Sequence, residues 1–231
     1  MHSRSPLGVL FDLDGTLIDT ADDLVAALFA SCDMHQQARP DANAARKRVA
    51  YGGLGLIELA FGTREGATAN AALDTLLTHY QRNIAVHSRL YDTLDLLLIE
   101  FGHAGIPWGI VTNKNIGLTT DLLAALNLKD DVHIVVGADS LPVRKPDPAP
   151  LLYAAGAIGV LPQDCIYIGD HERDMVAAKA AHMKCIGATY GYIDTGDNPS
   201  SWPADLLVSG PGDVRSALIS LGVPLEAASS G

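Results

Sequence analysis

Two aspartates separated by one residue follow the first apolar run of the chain. The segment Asp12-Leu13-Asp14-Gly15-Thr16 comes directly after Leu7–Phe11. Residues two apart on an extended chain point the same way, so both carboxylates are expected at the end of one strand. Two adjacent carboxylates repel each other, and a divalent cation relieves that repulsion. Taken alone, the motif also fits a pair of turn or capping aspartates.

Three more polar motifs follow later apolar runs. Thr112 and Asn113 offer a hydroxyl, an amide and backbone N–H groups at the start of a helix, which can hold phosphate oxygens. Lys145 offers a cation, and Asp170 and Asp174 offer a second pair of carboxylates. Each motif alone also fits a structural role, as a helix N-cap, a solvated charge or a first-turn acid. Together they predict one site that binds a cation and phosphate.

The elements that must position these residues are short apolar runs that alternate with helical stretches. Runs of this length, rich in β-branched residues, predict strands buried on both faces of a parallel sheet. Alternation with helices predicts right-handed βαβ units and a doubly wound, Rossmann-like α/β core. The predicted strands are Leu7–Phe11, Trp108–Val111, Val132–Val136, Cys165–Ile168, Lys184–Gly187 and Leu206–Val208, and the predicted helices of this part are Leu118–Leu126, Pro148–Gly159 and Met175–His182.

One region interrupts this alternation. From about Thr20 to Val86 the pattern is helical only, with helices predicted at Ala21–Cys32 and Ala69–Ile84. We therefore predict a core of residues 1–17 and 88–231 and an all-helical cap of residues 18–87. The glycine-rich Tyr51–Gly55 segment is a candidate loop over the site, with a flexible helix connection as the alternative.

The four motifs, in this order and with a helical insert after the first strand, resemble the haloacid dehalogenase-like (HAD) superfamily over the whole chain. The resemblance implies that Asp12 is a nucleophile that forms an aspartyl-phosphate and that Asp14 is the general acid and base. It implies that Thr112, Asn113 and Lys145 bind the transferring phosphoryl group. Gly15, which permits a sharp turn, and Thr16, which offers a hydroxyl, are further candidate phosphate-binding residues.

The resemblance also implies a magnesium ion. Asp12, the backbone carbonyl of Asp14, and Asp170 would hold the Mg²⁺, with Asp174 helping directly or through water. Oxygen ligands suit this hard cation. His171 and Glu172 depart from the small hydroxyl residue expected after Asp170. Three roles remain open for these two residues: contact with the cap, support of Lys145, and a solvent-facing helix start.

Within the superfamily, the chain resembles the phosphoglycolate phosphatase group through its first two motifs and Tyr190-Gly191-Tyr192. Other features also resemble N-acetylmuramic acid 6-phosphate phosphatases: Tyr80–Asn83, Ala85–Ser88, Asn198-Pro199 and Trp202. The implied partner is a small phosphorylated substrate. A sugar phosphomutase and a non-catalytic phosphate-binding protein are the alternatives, and the latter is disfavoured by the presence of Asp12, Asp14, Lys145 and Asp170.

The composition limits the remaining possibilities. The chain has 231 residues, with 16 Lys and Arg against 27 Asp and Glu, a formal net charge of −11. This balance argues against nucleic acid and anionic membranes, which need clustered cations. The three cysteines are widely spaced and favour reduced thiols in the cytoplasm. We expect a monomer or homodimer with a frayed tail at Glu226–Gly231.

Overall fold

The computed structural model describes residues 7–225. Residues 1–6, the start of the predicted core, and residues 226–231, the tail predicted to fray, lie outside the described residues. The strands within this range are β1 (Gly8–Phe11), β2 (Ile18–Asp19), β3 (Arg89–Leu90), β4 (Trp108–Val111), β5 (Ile134–Val136), β6 (Cys165–Gly169), β7 (Lys184–Ala188) and β8 (Leu206–Val208). The helices are α1 (Ala21–Met34), α2 (Ala42–Arg48), α3 (Gly52–Phe61), α4 (Ala67–Arg82), α5 (Leu94–Ala104), α6 (Ile116–Ala125), α7 (Ala149–Ala157), α8 (Glu172–Ala180) and α9 (Val214–Ser220).

Six of the strands form one parallel sheet in the order β5-β4-β1-β6-β7-β8. The prediction of a doubly wound parallel sheet is confirmed, and each predicted strand lies within two residues of an observed one. β1 is the first strand in sequence, and later strands pair on both of its sides. Its carboxyl end, where Asp12 follows, is therefore at the reversal of strand order where open α/β sheets bind ligands.

Apolar side chains of the sheet pack into two layers on its opposite faces. Val9 and Phe11 of β1 join a buried cluster with α5 and α9, which includes Phe101 and Leu218. Leu10 of the same strand joins the cluster on the other face with α7 and α8. Every residue of β1, β4 and β6 is buried. These strands therefore hold the residues that follow them on a rigid support.

Helices α1–α4 lie between β2 and β3 and surround a third buried cluster. Leu28, Leu56, Leu76 and Tyr80 are fully buried there. The segments that enter and leave this helical region pair as an antiparallel ladder, with Ile18 opposite Leu90 and Asp19 opposite Arg89. The region therefore starts and ends at one place beside the sheet. The boundaries of the predicted cap at residues 18–87 stay a proposal.

The glycine-rich segment is not a loop. A short 3₁₀ turn, Val49–Tyr51, leads directly into α3, which begins at Gly52. A Cβ on Gly55 would lie 2.4 Å from the Tyr51 Cβ, so this glycine serves close packing within a helix. Gly52 has φ +67° and ψ −167°, a conformation that is essentially restricted to glycine. The glycines thus fix a sharp turn between two helical segments.

Among residues 7–225, no helix combines the length and the apolar character that crossing a membrane requires.

Candidate active site

Asp12 lies at the carboxyl end of β1 and is 7% exposed. Its Oδ1 accepts a hydrogen bond from the Leu13 backbone N–H at 2.7 Å. The same oxygen lies 3.0 Å from the Lys145 Nζ. Both contacts use Oδ1, which leaves Oδ2 as the oxygen available to a substrate. The backbone thus orients the carboxylate, and the ammonium group beside it lies in ion-pair contact with the same oxygen.

Lys145 reaches the sheet edge from the segment between β5 and α7, and it is 2% exposed. Its Nζ lies 2.8 Å from Asp174 Oδ1, so it bridges two carboxylates. The alternative interpretation of this lysine as a solvated surface charge is therefore excluded by its burial. Because a buried ammonium needs compensating charge, its position between Asp12 and Asp174 is consistent with a role in neutralising anions.

Asp12, Asp170 and Asp174 form a buried acidic cluster, in which one carboxylate oxygen of each lies within 4.8 Å of the others. Burial, with Asp12 and Asp174 nearby, raises the pKa of Asp170 well above its ordinary value. Burial also raises the pKa of Asp174, against the opposing effect of Lys145. Hard oxygen donors in this arrangement, with one lysine to offset them, fit a divalent cation.

Glycines pack closely against this cluster. Gly15 has φ +82°, and a Cβ there would lie 2.1 Å from Asp170 Oδ2. A Cβ on Gly191 would lie 2.3 Å from the Asp170 Cβ. The backbone N–H of Tyr192 donates to Asp170 Oδ2 at 2.8 Å. The Asp170 side chain is therefore fixed by two close backbone approaches and one hydrogen bond.

Asp14 faces away from the acidic cluster. Its Oδ1 accepts from the Lys114 Nζ at 2.9 Å and from the Thr20 hydroxyl at 2.6 Å. The Lys114 Nζ also lies 4.5 Å from the centre of the Tyr80 ring, on α4. Burial alone lowers the pKa of Lys114, but the adjacent Asp14 carboxylate raises it above its ordinary value, so Lys114 stays charged. The two aspartates of the first motif thus have separate surroundings, and the predicted ligand role of the Asp14 carbonyl stays a prediction.

Thr112 and Asn113 lie between Asp12 and the loop of Lys145. Thr112 Oγ1 accepts from the Lys114 backbone N–H at 3.2 Å, which leaves its own hydrogen free for another acceptor. The Asn113 amide donates to the Lys145 carbonyl at 2.9 Å and ties the two motifs together. Thr16 is fully buried, and its hydroxyl has no hydrogen-bond partner among residues 7–225.

A cavity of about 880 Å³ opens over these residues. Its floor includes Asp12, Asp14, Thr112 and Lys145, while Gly15 and Thr16 are not among the residues that line it. Its other walls come from α3, α4 and the segment that connects them in the helical region, and from the start of α6. They carry apolar and polar side chains, among them Leu54, Arg64, Asp74, Leu77, Thr78, Gln81 and Leu118.

His171 faces the helical region. Of the three roles left open for this residue, the structure therefore supports contact with that region. Its ring packs edge-on against Tyr51 at a centroid distance of 5.4 Å. Burial, followed by the charge of Arg173, lowers the pKa of His171 to about 4, so the ring is neutral at pH 7. Its Nδ1 accepts from the Arg173 backbone N–H, which places the proton on Nε2. Glu172 is exposed at the start of α8.

Two contacts that sequence reasoning missed support the site. Tyr192 receives hydrogen bonds on its hydroxyl from the backbone N–H groups of Thr20 and Ala21, and so joins the Asp170 side of the site to the entry of α1. Tyr167 contacts Lys145 through its hydroxyl at 2.6 Å. In the sequence, the tyrosine-rich Tyr190-Gly191-Tyr192 motif is a signal that could have indicated the contact of Tyr192. For Tyr167 the sequence shows only an apolar strand.

Comparisons with known proteins agree with this geometry. Residues 9–188 match the family model of the haloacid dehalogenase-like hydrolases. A phosphoglycolate phosphatase of Xanthomonas campestris pv. campestris is 39% identical over 210 residues, which cover 90% of this chain and 94% of that protein. An N-acetylmuramic acid 6-phosphate phosphatase of Pseudomonas aeruginosa is 35% identical over 211 residues, which cover 91% and 93% of the two chains.

A solved structure shares the fold. The crystal structure of a predicted phosphoglycolate phosphatase from Haemophilus somnus superimposes with a TM-score of 0.82, at 23% identity, over 92% of this chain and 97% of that one. The chain belongs to the haloacid dehalogenase-like hydrolases. Within that family it is a phosphatase, as its curated relatives are.

Proposed function

We propose that this phosphatase is a Mg²⁺-dependent phosphomonoesterase that hydrolyses 2-phosphoglycolate or a similar small phosphorylated metabolite through an aspartyl-phosphate on Asp12. The observation that carries this proposal is the position of Lys145 between Asp12 and Asp174, beside the buried acidic cluster. Phosphoryl transfer depends mainly on positioning and charge neutralisation, and this cluster provides groups for both.

In the first half of the reaction, Asp12 Oδ2 attacks phosphorus, and the bond from phosphorus to the leaving alkoxide breaks. Asp14 donates a proton to that oxygen, so the product leaves as an alcohol. Lys145 offsets charge on the phosphoryl oxygens, and the free hydrogen of the Thr112 hydroxyl is placed to donate to one of them. Asp12, the Asp14 carbonyl, Asp170 and Asp174 would hold the Mg²⁺, which would supply further neutralisation of phosphoryl charge.

In the second half, Asp14 takes a proton from water, and the water oxygen attacks the aspartyl-phosphate. The bond between phosphorus and Asp12 breaks, so inorganic phosphate leaves and the carboxylate is restored. The ion pair with Lys114 and the hydrogen bond from Thr20 keep Asp14 in a defined position for this step. The cycle is complete because the product has left as a neutral alcohol and the Asp12 carboxylate has been regenerated.

The cavity supports N-acetylmuramic acid 6-phosphate as a second candidate substrate. A volume of about 880 Å³ is within the range of drug-sized ligand sites and is large for a two-carbon acid. Asp74, Thr78 and Gln81 on α4 line the wall opposite the phosphate floor, where hydroxyl and amide groups of a sugar can find partners. The Pseudomonas aeruginosa relative is named for this substrate.

Phosphate release tests the proposal. With Mg²⁺ and p-nitrophenyl phosphate, Asp12→Asn is expected to abolish turnover without unfolding, because it removes the nucleophile and keeps the side-chain shape. Asp95→Asn, at an exposed aspartate of α5, is the matched control and should keep full activity. Near-normal Mg²⁺-dependent activity of Asp12→Asn would overturn the mechanism.

The same assay identifies the substrate. It compares 2-phosphoglycolate, N-acetylmuramic acid 6-phosphate and glucose 6-phosphate by kcat/KM, and a strong preference for one of the first two selects between them. One equivalent of inorganic phosphate released per substrate excludes a phosphomutase.

A further inference from the structure

The ammonium group of Lys145 is enclosed by four oxygen atoms. Two belong to carboxylates, Asp12 Oδ1 at 3.0 Å and Asp174 Oδ1 at 2.8 Å. The other two are uncharged, the Val111 carbonyl at 2.8 Å and the Tyr167 hydroxyl at 2.6 Å. The side chain of Lys145 is 1% exposed, so none of these contacts is replaced by bulk water.

Tyr167 and Val111 lie on the two strands that flank β1. Tyr167 is in β6 and pairs in register with Leu10, while Val111 ends β4. The Tyr167 ring is fully buried in the cluster on the α7 face of the sheet. Its hydroxyl is therefore held by rigid packing rather than by a mobile side chain.

In one orientation, the Tyr167 hydroxyl forms hydrogen bonds with both the Val111 carbonyl and the Lys145 ammonium group. It donates its hydrogen to the Val111 carbonyl at 2.7 Å, so its lone pairs are left to accept from the Lys145 Nζ. Burial raises the pKa of Tyr167 well above its ordinary value, and the phenol stays neutral. A neutral acceptor fixes the ammonium group without competing with Asp12 and Asp174 for its charge.

We propose that Tyr167 is a positioning residue for Lys145: with the Val111 carbonyl, its hydroxyl holds the ammonium group between Asp12 and Asp174, where it meets the transferring phosphoryl group. This inference rests on the proposed function and deepens it. Without the hydroxyl, Nζ has only one uncharged anchor and shifts towards the acidic cluster. The resulting loss of activity is expected in the step in which charge develops on the phosphoryl group.

Tyr167→Phe tests this role because it removes the oxygen and keeps the ring. With p-nitrophenyl phosphate and Mg²⁺, kcat is expected to fall about tenfold while KM stays within about twofold, since a small displacement of a catalytic group slows the chemical step more than it weakens binding. A crystal structure of the variant should show Nζ displaced from its position beside Asp12. Incorporation of 3-fluorotyrosine at position 167 retains the hydroxyl and should keep kcat near that of the wild type.

Ser31→Ala is the control for a lost buried hydroxyl. The Ser31 hydroxyl is fully buried and donates to the Ala72 carbonyl at 2.7 Å within the helical region, away from the site. This variant should melt at a lower temperature and keep its kcat. A Tyr167→Phe enzyme with unchanged kcat, or with Nζ in its original place, would overturn the positioning role. A wild type without Mg²⁺-dependent phosphate release would instead overturn the proposed function.

Discussion

The balance of charges at the acidic cluster explains why a dication suits it. Asp12, Asp170 and Asp174 carry three negative charges when ionised, and Lys145 supplies one positive charge in contact with two of them. Burial makes the uncompensated charge costly, and the pKa of Asp170 is raised well above its ordinary value for this reason. The metal-free cluster therefore keeps its protons to a higher pH than free aspartates do, and a divalent cation that binds there competes with them.

This cluster predicts a pH-dependent stability. A carboxyl group with a raised pKa in the folded state keeps its proton at a pH where the unfolded chain has lost it, so folding becomes less favourable as pH rises. In EDTA, the free energy of unfolding is expected to fall as pH rises from the ordinary aspartate range, about 4, through the raised pKa of Asp170. Asp170→Asn should remove much of this decline.

Mg²⁺ should change the stability of the wild type but not that of Asp170→Asn. It should stabilise the wild type, by about 2.7 kcal/mol at one hundred times its Kd, and should leave Asp170→Asn nearly unchanged. Thermal and urea unfolding across pH, with EDTA or Mg²⁺, measure both effects. Equal stabilisation of the two proteins by Mg²⁺ would show that Asp170 is not a ligand.

At the scale of residues, the sequence is most informative where a residue with a reactive or ligand-binding side chain directly follows a strand. Asp12, Thr112 and Asp170 could be placed at one sheet edge because parallel strands end together. The contact of Asp14 with Lys114 and that of Lys145 with Tyr167 could not be predicted. They depend on the direction in which long side chains cross between strands, which spacing along the chain does not encode.

At the scale of elements, apolar runs located the six core strands, but not the two-residue strands β2 and β3. Isolated strands that short have no periodicity, and their pairing depends on residues far apart in sequence. No predicted helix corresponds to α2, α5 or α9. For the glycine-rich start of α3, the sequence predicts a loop or a flexible helix connection, because glycine disfavours helices in general and the close contact of Gly55 with Tyr51 is visible only in three dimensions.

Asp23 joins the two ends of the helical region, and its loss should loosen them. This residue of α1 is 3% exposed and accepts from the backbone N–H groups of His87 and Ser88, at 3.0 and 2.8 Å, and from the Ser88 hydroxyl at 2.6 Å. Asp23→Ala leaves these donors unpaired and should lower the free energy of unfolding by roughly 1–3 kcal/mol or more. Urea unfolding measures the change.

The neighbouring Asp22 provides the control. It is exposed and forms an ion pair with Arg46, which also contacts Asp19. Asp22→Ala should therefore cost less than about 1 kcal/mol. Comparable losses in the two variants would mean that the buried contacts of Asp23 contribute no more than a surface ion pair.

At the scale of the whole molecule, the net charge of −11 and the acidic cluster both oppose the approach of an anion. We therefore expect inorganic phosphate to bind weakly in EDTA and at least about tenfold more tightly with Mg²⁺, since the cation offsets the negative charge of the acidic cluster that Lys145 leaves uncompensated. Isothermal titration calorimetry at constant ionic strength measures this difference. Equal affinity in the two conditions would contradict the proposed arrangement of charges.

The ladder between β2 and β3 has a consequence for protein engineering. Because the helical region leaves and rejoins the rest of the chain through two neighbouring residue pairs, Ile18 with Leu90 and Asp19 with Arg89, its two junctions lie side by side. We expect that a region attached in this way can be exchanged as a cassette, with cuts at the ladder and no change to the strands and connecting segments that carry Asp12, Lys145 and Asp170. Chimeras that graft the corresponding segment of a relative onto this sheet would separate the choice of substrate from the chemistry of phosphoryl transfer.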